Sequence, residues 1–318
     1  MILGRNSQCW CGSGLKYKNC HEAFDEKIEE YKRHGYKVPG HDLIKTPEQI
    51  EKIKKSAVIN RACLDHVAKN IRAGISTQEI DDWVSKITKD MGGIPATLGY
   101  EGFPKSCCTS INSQVCHGIP SEDDILEDGD IINVDCTTIL DGYYADSSRM
   151  FLIGDVDSDA KKLVEDVYES VKVGLNAVKP WRTLGDMGSA VNEFCKSKGY
   201  SVVREIGGHG VGCDFHEEPW VSYVSEPGTE MLMVPGLMFT IEPMVNMGGP
   251  EIFIDADNDW TVYTDDDSLS AQWEVQIVVT EEGYELISWR YSWDIFILAL
   301  RPYQAAEQIY IVIRLLIC

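Results

Sequence analysis

Basic residues are scarce in this chain of 318 residues: 29 Lys and Arg stand against 51 Asp and Glu, a formal net charge of −22. Phosphate backbones are bound mainly by clustered Lys and Arg, so broad nucleic-acid affinity is excluded. Long apolar runs are missing too. The stretches Ile295–Leu300 and Ile309–Cys318 are interrupted by Asp294, Arg301, Glu307 and Arg314, well short of the ~20 residues that a membrane span needs. The first residues carry no apolar stretch of the kind a secretory leader has, which makes the cytosol the expected address. Eleven cysteines are too dilute for a disulfide scaffold at this length. In a reducing compartment a tight Cys cluster therefore reads as a metal site. With 44% hydrophobic residues the chain can bury a sizeable core, which excludes a disordered or collagen-like protein.

The charge is uneven: residues 1–40 hold seven Lys/Arg and five Asp/Glu, leaving 22 against 46 for the rest. That mildly basic piece contains Cys9, Cys11, Cys20 and His21. Three thiolates and an imidazole at this spacing can complete a tetrahedral Zn²⁺ shell, and Gly12 and Gly14 let the chain turn around the ion. Chance clustering is the bland alternative, but two ligand pairs flanking a Gly-rich turn argue against it. The run resembles the SEC-C zinc motif, with every metal position filled. Residues 22–37 are helix-compatible, and Val38-Pro39-Gly40 then reads as a linker.

Beyond the linker, Thr46-Pro47-Glu48-Gln49 combines an N-cap hydroxyl, Pro at the first helical position and a capping-box Gln. Ile50, Ile53, Ala57 and Val58 follow at helical spacing, and Ser76–Glu79 opens a second helix that stops before Gly92-Gly93. Residues 158–178 and 183–198 repeat this helix, break, Thr-started helix order. Each pair precedes a strand-rich segment. The expectation is an α+β domain of duplicated halves, with helices outside one curved antiparallel sheet.

Acidic residues then occur where apolar ones are expected. Asp141-Gly142 between β-prone runs is a type I′ hairpin signal. With those two residues as the loop, Asp146 faces Thr137, and Asp135 lies two residues away on the same face. Diagonal neighbours of this kind are roughly 7–8 Å apart at the backbone. Same-face carboxylates in an apolar hairpin repel unless a cation sits between them, although a solvated outer face would also accept them. Glu242 in Leu237–Val245 and Glu274 in Trp273–Val279 repeat the oddity. A buried salt bridge is the ordinary explanation for one such residue, not for four carboxylates on separate strands. The Gly-rich run Ile206–Pro219 adds His209 and His216 but fails the GxGxxG spacing of a phosphate loop. His117 lies in another His-Gly step. Hard oxygen donors with one imidazole suit Mn²⁺, Fe²⁺, Co²⁺ or Zn²⁺, and bridging carboxylates suit two ions.

Together the strings Val115–Pro120, Asp135–Asp146, Gly208–Gly212 with Phe215–Pro219, Phe239–Pro243 and Ser270–Glu274 resemble those of type I methionine aminopeptidases, over residues 42–287. The resemblance implies the pita-bread fold. It also implies a dinuclear site of Asp135, Asp146, His209, Glu242 and Glu274, with Asp146 and Glu274 bridging. His117 and His216 would contact substrate and stabilise the tetrahedral intermediate, and Glu242 would move the proton. Tyr100, Phe103, Cys108, Phe215 and Trp260 would line the methionine pocket. Thr97 stands where bacterial relatives commonly have Cys, which should alter pocket polarity rather than abolish catalysis. The expected division is 1–40 zinc module and linker, 41–289 catalytic domain, and 290–318 a tail without a functional account. The expected partners are nascent polypeptide N-termini, met by a monomer, with the N-terminal module docking on the ribosome or a chaperone. A related proline or dipeptide peptidase, or a pita-bread binding module that has lost its metals, are the competing expectations.

Overall fold

The computed structural model describes residues 3–289; the tail 290–318 lies outside the described residues. Helix α1 spans Glu22–Arg33, α2 Pro47–Asn70, α3 Thr77–Asp90, α4 Ser158–Ala177 and α5 Leu184–Ser197. The local signals act as expected. Thr46 and Gln49 form the full capping box on α2, and Thr183 with Asp186 forms another on α5. Ser76 accepts the Glu79 N–H at the start of α3. Two helices followed by strands, twice over, is the duplicated order expected from sequence.

The central element is the hairpin Ile131–Leu140 with Tyr143–Leu152, paired from Ile131↔Leu152 to Leu140↔Tyr143. Asp141 and Gly142 both have positive φ (52° and 81°), as a type I′ turn demands. Ile94–Pro95 and Cys108–Ile111 lie along the other side of Ile131–Leu140. In the second half, Val275–Val279 pairs with Met238–Ile241, which leads on to Gly208–Gly210 and Glu217–Val221. The pairings are antiparallel throughout these strands. Counting the remaining strands, the described residues hold four hydrogen-bonded groups rather than one unbroken ladder. Register shifts at His209/Gly210 and Val262/Tyr263 fall inside two of these groups, the local irregularity a β-bulge introduces.

Polar pins join the layers. Asn60 of α2 donates to the Cys136 and Ala145 carbonyls on both strands of the hairpin, and Ser56 Oγ donates to Tyr143 O at 2.8 Å. Trp273 Nε1 donates to Val164 O of α4 at 3.1 Å. Gln276 Oε1 accepts the Asp146 N–H at 3.0 Å, so the two halves meet beside the acidic residues.

The N-terminal segment packs on the body. Phe24 and Tyr31 of α1 contact Trp181, each with ring centroids 5.6 Å apart, and Lys27 Nζ lies 3.9 Å over the Trp181 ring. Past α1, Lys37 O accepts the Leu232 N–H and Lys45 N–H donates to Gly236 O. Helix α1 already ends at Arg33, with Gly35 at φ +89° just beyond it, so Val38-Pro39-Gly40 lies past the helix stop, and backbone bonds to the body flank it on both sides. A Pro-Gly signal reports only a local break in pattern; whether the chain around it is tethered depends on Trp181 and residues 231–236, far away in sequence.

Candidate active site

Every residue singled out for the catalytic domain, Thr97 included, lines one cavity of about 500 Å³. Asp135 and Asp146 come from the two strands of the central hairpin, with Thr137 paired to Asp146 as the turn required. Glu242 follows Met238–Ile241 and Glu274 precedes Val275–Val279. Since Val275 pairs with Ile241, one more step of that register sets the two glutamates opposite each other. His209 and His216 flank a tight reversal at Gly212 (φ +131°), and their rings are 4.2 Å apart. His117 adopts φ +56°. Gly118 after it sits where a Cβ would stand 2.0 Å from Thr109 O, which explains the His-Gly step.

Ligand atoms of Asp146, His209 and Glu274 all lie within 4.8 Å of one another. His209 Nε2 is 3.7 Å from Asp146 Oδ2 and 3.6 Å from Glu242 Oε1, and Asp135 lies within hydrogen-bond reach of Glu274. No Lys or Arg lines this cavity among the described residues. The consequences are visible in each group. Burial pushes Asp135 up to about 7 and Glu242 up to about 8. Burial first, and then the neighbouring carboxylates, hold Asp146 and Glu274 well above the usual range. Burial lowers His209 to about 3, a neutral imidazole. Its Nδ1 is 2.9 Å from Gly210 O, so Nδ1 carries the proton and the Nε2 lone pair faces two carboxyl groups. That tautomer is the one metal-binding histidines adopt. Glu274 Oε2 is buried with no hydrogen-bond partner, a state that costs about 1–3 kcal/mol. An unpaired carboxyl oxygen, a lone pair aimed among the carboxyl groups and no cation in the lining of the described residues fit divalent ions.

The remaining walls are apolar and aromatic. Phe103 meets Trp260 edge-on at 5.1 Å, Tyr100 and Phe215 are 4.6 Å apart, and Phe215 stacks on His216 at 4.3 Å. Burial lowers His117 to about 4 and lowers His216 as well. The Tyr100 hydroxyl is 2.8 Å from His216 Nδ1.

Sequence reasoning missed the groups that orient these side chains. Thr240 Oγ1 donates to Glu242 Oε1 at 2.6 Å, and Gln272 Nε2 to Glu242 Oε2 at 3.1 Å. Thr240-Ile-Glu242 and Gln272-Trp-Glu274 are both polar pairs two apart in apolar strands, and that period-2 signal could have found them. Glu101, Glu218 and Trp220 also line the cavity without any local sequence signal.

At the N-terminus, Cys9, Cys11, Cys20 and His21 converge within 4.8 Å. Cys9 Sγ and Cys20 Sγ lie 3.2 and 3.1 Å from His21 Nδ1, and Cys11 Sγ lies 3.5 Å from Cys20 Sγ. These approach the about 3.5–3.8 Å donor separations of a tetrahedral Zn²⁺ with S and N ligands. Burial pushes the Cys9 thiol up to about 11.

Comparison with known proteins follows the same outline. Metallopeptidase family M24 matches residues 51–281, and the SEC-C motif matches residues 5–23. The methionine aminopeptidase of Chlamydia muridarum is 40% identical over 289 residues, covering 90% of this chain and 99% of that protein. Methionine aminopeptidase A of a Synechocystis species is 45% identical over 240 residues, covering 76% of this chain and 94% of its own. The crystal structure of methionine aminopeptidase from Rickettsia prowazekii superposes with a TM-score of 0.76 at 39% identity, over 77% of this chain and 99% of that one. The fold is therefore the pita-bread fold. With a family match spanning most of the sequence and relatives matched over nearly their whole length, the chain belongs to metallopeptidase family M24 and, within it, to the methionine aminopeptidases.

Proposed function

We propose that this methionine aminopeptidase removes the initiator methionine of nascent polypeptides with two divalent ions, Co, Mn, Fe or Zn, held by Asp135, Asp146, His209, Glu242 and Glu274. One observation carries this reading: three buried carboxyls, the half-buried Asp135 and a neutral imidazole share a cavity with no cationic side chain among the described residues. When bound there, the ions supply a water of strongly lowered pKa and polarise the scissile carbonyl. The side chains do the rest. Glu242, held by Thr240 and Gln272, takes the proton of the attacking water and returns it to the leaving amide nitrogen. His117 and His216 donate to the oxyanion; with Tyr100 donating to His216 Nδ1, Nε2–H is the free donor. Tyr100, Phe103, Cys108, Phe215 and Trp260 receive the flexible thioether and keep water out. The proline or dipeptide peptidase alternative is not favoured by the relatives.

Mild chelation tests the division of metals. Catalytic ions bound by exchangeable oxygen donors should leave before a thiolate-bound Zn²⁺. Activity on Met-Ala-Ser should vanish while one zinc per chain stays; loss of zinc before activity would contradict the assignment.

The Cys9, Cys11, Cys20 and His21 module holds one Zn²⁺ in this reading and brings the enzyme to the ribosome or a chaperone, raising its effective concentration near new N-termini. The division is 1–40 module, 41–289 catalytic domain. The enzyme works as a monomer in the cytoplasm, and no helix among the described residues is long and apolar enough to cross a membrane. Removing residues 1–40 uncovers Trp181, where the lost aromatic packing is worth about 2–3 kcal/mol. A drop in Tm of about 5–10 °C should follow. Tripeptide turnover at 25 °C should stay nearly intact, while salt-sensitive co-sedimentation with ribosomes weakens. Unchanged co-sedimentation would reduce the module to a staple, and abolished tripeptide cleavage would overturn both roles.

A further inference from the structure

The loop that carries Phe215 and His216 ends on a buried charge pair that the mechanism above does not use. Lys45 precedes helix α2, and its backbone is fixed: its N–H donates to Gly236 O at 2.9 Å, and Ile44 bridges Leu237. The lysine side chain is only 1% exposed. It passes Gly212, where a Cβ would stand 3.4 Å from Lys45 Cε, and its ammonium meets Glu217 Oε2. The other oxygen, Glu217 Oε1, accepts the N–H groups of Cys213 at 2.7 Å and Asp214 at 2.8 Å. One carboxylate thus ties both ends of the reversal at residues 212–217 to the anchored lysine. Gln49 adds a contact from the first turn of α2, its Nε2 lying 3.3 Å from Cys213 Sγ.

A pair this deeply desolvated gains little net stability, because removing both charges from water offsets most of their attraction. Apolar side chains could close the same space. What the pair supplies is a fixed geometry, and the residue next to Glu217 is His216. That ring is otherwise held by the Tyr100 hydroxyl and by stacking on Phe215. We propose that Lys45 and Glu217 are a positioning pair that sets the His216 donor against the reacting carbonyl. This rests on reading His216 as an oxyanion donor.

The test is a cycle of variants of the full, metal-loaded chain. Lys45→Met keeps the stem and removes the ammonium. It should lower kcat on Met-Ala-Ser about 10–100-fold, the scale expected for an ångström-sized misplacement, with KM little changed and metal content equal to wild type. In a His216→Ala background the same change should cost at most about twofold more, since the group it positions is gone. Glu217→Gln still accepts the two amide protons but loses the ammonium partner. It should show a smaller kcat loss, equally absent in the His216→Ala background, and it carries the test alone where Lys45→Met does not fold. Wild-type kcat in the single variants, or losses that multiply with His216→Ala, would overturn the proposal. A His216→Ala protein with undiminished kcat would instead overturn the reading of His216 on which it rests.

Discussion

Replacing Asp146 by Asn should lower kcat/KM on Met-Ala-Ser by about a thousandfold or more, above the about 10–100-fold typical when only a group behind a metal ligand is lost. Asp146 is 3% exposed and sits with His209 and Glu274 at the tightest point of the donor set. Its Oδ1 accepts from Thr137 Oγ1 at 2.8 Å, which leaves Oδ2 toward His209. An amide in that place keeps the shape and the Thr137 contact but removes the charge two ions would share. Catalytic metal should be lost with activity, while the zinc at Cys9, Cys11, Cys20 and His21 remains. Cys9→Ser should do the reverse. A Cys9→Ser protein that loses catalytic metal as readily as Asp146→Asn would show the two sites to be one system.

The second large effect concerns the residue after methionine. Phe103 and Trp260 meet edge-on beside His117, and Phe215 stacks on His216. In the proposed reading the methionine side chain would fill the space between these rings, which would set the next residue beside His117. Met-Ala peptides should exceed Met-Phe peptides in kcat/KM by about a hundredfold or more, at or above the upper part of the about 10–200-fold that a single methylene in a close-fitting pocket decides. Equal cleavage of the two would refute the placement of the pocket.

How much of this was legible in the sequence differs from residue to residue. Asp135 and Asp146 were placed by the Asp141-Gly142 turn alone, because a two-residue loop fixes the register of every pair behind it. The helix starts at Thr46, Ser76 and Thr183 were equally local. Glu242 and Glu274 were visible only as acids in apolar strands. That Ile241 pairs with Val275 depends on a contact across more than thirty residues, which no local pattern encodes. The spacing of seven between His209 and His216 gave no reason to bring their rings together, since the reversal at Gly212 depends on Glu217 and on Lys45, more than 160 residues away. Val38-Pro39-Gly40 read as a linker for the same reason: the groups that hold the chain on either side of it, Leu232 and Gly236, and Trp181 under α1, belong to the other half of the chain.

The number of metal ions per chain, set against turnover as they are removed and returned, tests the dinuclear site most directly. Elemental analysis of the purified protein should find three ions, one of them Zn²⁺ in the N-terminal module. After mild chelation one ion should remain and Met-Ala-Ser should no longer be cleaved, with activity returning as two equivalents of Co²⁺, Mn²⁺, Fe²⁺ or Zn²⁺ are restored. Full activity in a protein holding only the N-terminal zinc would contradict it.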